Sequence, residues 1–60
     1  MNFFNTNNQK FNKGDKVIIK YMELVGEIIE IYNNTYSVLY TTADEREIIE
    51  DFNSNDLRKV

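Results

Sequence analysis

The chain contains no cysteine and no histidine. Their absence excludes a disulfide framework, a zinc finger, haem ligation, a thiol nucleophile and an imidazole base, and with them most familiar active sites. No apolar run approaches the roughly 18 residues of a membrane span. The opening Met1-Asn2-Phe3-Phe4-Asn5 lacks the basic and apolar regions of a signal peptide. Small secreted domains of this size usually carry disulfide staples, so a cytoplasmic setting is the expectation.

With 60 residues, of which 42% are hydrophobic and 28% charged, the composition is that of one small globular domain with a modest core. The net charge of −3 is unevenly spread. Lys10, Lys13, Lys16 and Lys20 outnumber Asp15 in the first third of the chain. From Met22 onward nine carboxylates face only Arg46, Arg58 and Lys59. An acidic domain is repelled by phosphate backbones unless its cations gather on one face, which disfavours nucleic acid as a partner.

Residues 1–12 form an Asn-rich block whose only large apolar side chains are Phe3, Phe4 and Phe11. No structural period fits it. The expectation is a flexible or loosely attached segment held through Phe11, with residues 1–8 mobile. A second reading has the three phenylalanines supply an apolar contact, either to the domain or to a partner.

Residues 13–60 read as strands and turns. Lys13-Gly14-Asp15 is a turn signal, and Val17, Ile19 and Tyr21 then alternate with Lys16, Ile18 and Lys20 at the period of a half-buried strand. In Val25–Tyr32, Gly26 and the adjacent Ile28-Ile29 predict a bend or bulge. Asn33-Asn34 predicts a hairpin corner, since Asn tolerates the positive φ of tight turns. Tyr36, Val38 and Tyr40 alternate beyond it, with Leu39 out of phase. A turn at Thr42–Glu45 leads to Arg46–Phe52, where the facing of Ile48 and Ile49 is ambiguous. Ile48, Ile49 and Phe52 also sit at helical spacing, so a helix over 44–52 competes with a strand, and the shortness of the run favours the strand. Asn53–Asp56 suits a single helical turn before a last strand, Leu57–Val60. The expected core is Val17, Ile19, Ile28, Ile31, Tyr36, Val38, Tyr40, Phe52 and Leu57.

From Phe11 to Val60 this order of elements resembles the Src-homology-3-like (SH3-like) small barrel of the Tudor-like and KOW-like kind. The resemblance rests on Gly14-Asp15-x-Val17-x-Ile19, Gly26-x-Ile28-x-x-Ile31, Tyr36-x-Val38-x-Tyr40 and Phe52-x-x-x-Asp56-Leu57. It implies an all-β, five-stranded barrel with one short helical turn before the last strand. Such barrels serve as peptide readers, ribosomal and transcription modules, enzyme subunits and phage proteins, so the resemblance leaves function open. Peptide readers of this type use Trp and Pro, both absent here, and proline-rich ligands are not expected. A methyl-lysine cage would have to draw on Tyr21, Tyr32, Tyr36 and Tyr40, and alternation sends three of these inward.

Asp44, Glu45, Glu47, Glu50 and Asp51 form the densest acidic run. They lack the loop glycine and ligand spacing of a calcium hand, and so small a domain offers no pocket to shift their pKa values, so neither a metal nor catalysis is expected. No cofactor is expected either. The bland reading of the run is a solvated edge that resists strand pairing. The functional one is a docking face for a basic protein. The expectation is a non-catalytic protein-interaction module, of phage or mobile-element origin, that binds or inhibits a basic partner. The competing reading is a weak nucleic-acid or ribosome-associated module using Lys10, Lys13, Lys16 and Lys20. Ile18 and Leu39, both out of phase with their strands, leave room for a dimer contact, and the oligomeric state is left open.

Overall fold

A computed structural model describes residues 10–60. Five strands follow one another: β1 (Lys16–Ile19), β2 (Leu24–Tyr32), β3 (Thr35–Thr41), β4 (Glu47–Asn53) and β5 (Leu57–Lys59), with a 3-10 turn (Ser54–Asp56) before the last. They form one antiparallel sheet in the order β4-β3-β2-β1-β5. The sheet is not closed into the expected barrel, because among the described residues β4 and β5 each have one strand neighbour. Residues 47–53 are strand and not helix, so the shortness of the run decided correctly.

Alternation places one face of this sheet inside. Phe11, Val17, Ile19, Ile28, Tyr36, Val38, Tyr40, Phe52 and Leu57 are buried together, and among the described residues no polar or charged residue joins them. Phe11 packs edge-on against Tyr36 with ring centroids 5.3 Å apart, and the Lys10 N–H donates to the Tyr36 hydroxyl at 3.0 Å. Phe3, Phe4 and the expectation for residues 1–8 lie outside the described residues.

Two positions read as inward-facing differ, Tyr21 by alternation and Ile31 as a member of the expected core. Tyr21 is 68% exposed, because β1 ends at Ile19 and the chain reverses at once through Lys20–Glu23, with both Met22 and Glu23 donating to the Ile19 carbonyl. An alternation continued past the end of a strand has no meaning. Ile31 is half-buried beside the core, near the hairpin end of the sheet where it pairs with the buried Tyr36. The last strand stops at Lys59, leaving Val60 exposed.

The bulge lies at Ile29, between the pairs Ile28↔Val38 and Glu30↔Ser37. One extra residue here reverses the parity of β2: Gly26 and Ile28 point inward before it, and Ile31 points inward after it. Glu30 is thereby kept on the outer face. The turn before β1 grips the same place, since the Gly14 N–H donates to the Ile28 carbonyl at 2.8 Å and the Ile28 N–H to the Asp15 carbonyl at 2.9 Å. Gly26 answers a different need. A Cβ there would lie 2.4 Å from Val38 Cγ1 and 2.9 Å from the Leu39 carbonyl oxygen, so β2 and β3 approach as they do only because this residue lacks a side chain.

Candidate protein-docking face

In the ladder between β3 and β4, Tyr36, Val38 and Tyr40 pair with Phe52, Glu50 and Ile48, while Ser37, Leu39 and Thr41 pair with Asp51, Ile49 and Glu47. The first set points inward and the second outward. Period-two geometry therefore divides the acidic run. Glu50 lies on the inner side and accepts a 2.7 Å hydrogen bond from the Tyr40 hydroxyl. Glu47 and Asp51 lie on the outer side, where Asp51 accepts from the Ser37 hydroxyl at 2.7 Å. Asp44 and Glu45 belong to the turn. There Asp44 accepts from the Thr42 hydroxyl and pairs with Arg46 at 3.4 Å, and Glu45 takes a positive φ of 66°. Among the described residues no three carboxylates converge in a way that would hold a metal ion.

The bond from Tyr40 to Glu50 alters the phenol. Its hydroxyl proton is held by the Glu50 carboxylate, its ring is buried, and ionisation would set a second negative charge beside the first. The Tyr40 pKa is pushed up to about 12 for these reasons, the hydrogen bond first.

The outer face carries apolar groups that the period of each strand taken alone makes look misplaced. Val25 is 55% and Ile49 61% exposed. Leu39 lies between Glu27 and Ile49 in one row across the sheet, and Val25 pairs with Ile18 in the next. A shallow hollow of about 260 Å³ opens there, lined by Val25, Gly26, Leu39, Tyr40 and Thr41, with Lys16, Glu27 and Glu47 at its rim. Comparison with protein-family models, curated proteins and solved structures returned no match.

Its chemistry is an apolar strip with a predominantly acidic border. Ile49, Leu39 and Val25 expose hydrocarbon, and Glu27, Glu47 and Asp51 border it. Among the described residues none of these three carboxylates makes a close ion pair, although Glu27 stands opposite Lys16 in the β1–β2 ladder. The ion pairs are Lys13 with Glu30 at 3.8 Å, Arg46 with Asp44, and Lys59 with Asp15 at 3.9 Å. Ile18 and Leu39 were legible as out-of-phase residues. Val25 and Ile49 were not, and the signal that finds Ile49 is the adjacent pair Ile48-Ile49, one of which must face outward in any strand.

Proposed function

We propose that this chain is a non-catalytic protein-interaction module of the SH3-like type, acting in the cytoplasm, whose outer sheet face binds a basic partner protein. The observation that supports this is the outward row of half-buried Leu39 and exposed Ile49, adjoined by Val25 and bordered by the carboxylates of Glu27, Glu47 and Asp51, of which only Glu27 has a cation, Lys16, opposite it in the sheet. Exposed apolar surface rimmed by charge of one sign favours a protein surface that brings both hydrocarbon and cations. The SH3-like reading is supported by the meander of β1 to β4, the return of β5 to β1, and the 3-10 turn before β5. A phage or mobile-element origin belongs to the same proposal through the resemblance alone. The nucleic-acid reading, built on Lys10, Lys13, Lys16 and Lys20, is weakened where Lys13 pairs with Glu30 and Lys16 stands opposite Glu27.

The test is affinity capture from lysate of the source organism, with and without nuclease, using wild type and the pair Glu47→Lys with Ile49→Asp. Both positions are exposed, so the variant should fold as wild type does. A protein retained by wild type and lost by the variant is the expected result. Captured material that disappears on nuclease treatment would refute the proposal in favour of nucleic acid.

A further inference from the structure

The end of the sheet at β4 is open for seven residues. Among the described residues no backbone hydrogen bond joins Glu47–Asn53 to any strand other than β3. Its counterpart at the other end, β5, has only three residues. A free edge of this length is a template on which another chain can add a strand through main-chain hydrogen bonds.

We propose that β4 receives an extended segment of a partner protein, antiparallel to it, with the pattern basic–x–apolar–x–basic. The inference rests on the reading above and names the mode by which the partner docks. The side chains that β4 turns outward run Glu47, Ile49, Asp51, an apolar residue between two acids. In an antiparallel pair, directly opposed residues share a face and their Cβ atoms lie within about 5.5 Å, close enough for each carboxylate to meet a cation. The partner's apolar residue then lies beside Ile49 and extends the row that Leu39 begins. Glu50, on the inner side, is already engaged by Tyr40 and asks for no cation.

A second copy of this chain is a poor occupant. The antiparallel register that sets Ile49 opposite its own copy also sets Glu47 opposite Asp51 on both sides, and like charges directly opposed destabilise a sheet. The register centred on Glu50 opposes that residue to itself. Edge charges thus disfavour self-association in the two registers that would align Ile49 or Glu50 with its copy, while leaving the edge open to a strand of opposite charge.

The probe is an acetylated, amidated peptide, Thr-Ser-Lys-Thr-Ile-Thr-Lys-Ser-Thr, titrated into the isotopically labelled full chain and followed by amide resonances and amide exchange. Shifts centred on Glu47–Asp51, with alternate amides there becoming protected, are expected. Replacing both peptide lysines by glutamate should weaken binding about tenfold or more. The variant Glu47→Lys with Asp51→Lys should reverse the preference between the two peptides. A peptide N-methylated at alternate amides keeps its charge but loses its main-chain donors, and it should not bind. If it binds as well as its parent, the segment docks on the face and not as a strand. That result overturns this inference and leaves the proposed function standing. No shift from the parent peptide at millimolar concentration also overturns the inference, and capture by wild type but not by the Glu47→Lys, Ile49→Asp variant then decides the broader reading separately.

Discussion

Replacing Gly26 by alanine adds one methyl group, and the structure says where that methyl must go. Its carbon would lie 2.4 Å from Val38 Cγ1, 2.9 Å from the Leu39 carbonyl oxygen and 3.3 Å from Tyr40 Cβ. A side-chain methyl can rotate away, but the carbonyl belongs to the backbone of β3 and moves only if the two strands part. Overpacking of this kind costs about 1–3 kcal/mol, and the backbone contact puts Gly26→Ala near the upper end. Stiffening of the unfolded chain by alanine returns about 0.5 kcal/mol, leaving a net loss of about 2 kcal/mol. A 60-residue domain has about 3–9 kcal/mol in all, so the midpoint of urea unfolding, followed by circular dichroism, should fall sharply. Val38→Ala alone creates a cavity at a fully buried site and should cost about 2 kcal/mol. In the double variant the closest contact is gone, so its loss should be smaller than the sum of the two single losses by about 1 kcal/mol. A Gly26→Ala protein within 0.5 kcal/mol of wild type, or strict additivity with Val38→Ala, would refute the argument that the spacing of β2 and β3 depends on the missing side chain.

Phe11→Ala removes a ring that is 4% exposed and stacked edge-on against Tyr36, and it should cost about 2–4 kcal/mol by thermal or urea unfolding; an unchanged midpoint would detach Phe11 from the core. Tyr40 has a folded pKa near 12 against about 10 for an unfolded tyrosine, so the folded state holds the proton more tightly. Its contribution is complete below pH 10 and is lost as pH rises from about 10 to 12; Tyr40→Phe should flatten the fall in unfolding midpoint across that window. Glu23 and Glu45 hold positive φ values of 57° and 66°, which glycine adopts without a steric cost, so Glu45→Gly should be neutral or slightly stabilising despite the added freedom of the unfolded chain, whereas Glu45→Val should lose about 1 kcal/mol or more on the same unfolding assay.

How far the sequence could be read depends on whether one strand or two are needed. β1 and β3 each bury a single face, so Val17 and Ile19, and Tyr36, Val38 and Tyr40, announce themselves by alternation alone. The bulge in β2 was legible as an irregularity near Ile28-Ile29, while Gly26 beside it turned out to serve close packing. Tyr21 was misread because a period shows the facing of residues but not where the strand stops. The docking face lay deeper still. Leu39 and Ile49 are ten positions apart in sequence and neighbours only through the register of β3 with β4, which no single strand's period reveals. The acidic run shows the reverse effect, since adjacency in the chain sent Glu50 inward and its neighbour Asp51 outward.

Three of the four ladders join strands consecutive in the chain, and only that between β1 and β5 spans nearly all of it. The meander from β1 to β4 is therefore available to a collapsing chain through local hairpins, with small loops to close. Arrival of β5 is a different kind of event: Ile19 must find Leu57, and the Lys20 N–H the Asp56 carbonyl, after most of the sheet exists. With no proline in the chain, no slow peptide isomerisation intervenes. Docking of β5 on the free side of β1 is then the expected last step of folding, and the same three pairs the ones expected to exchange their amides first on warming.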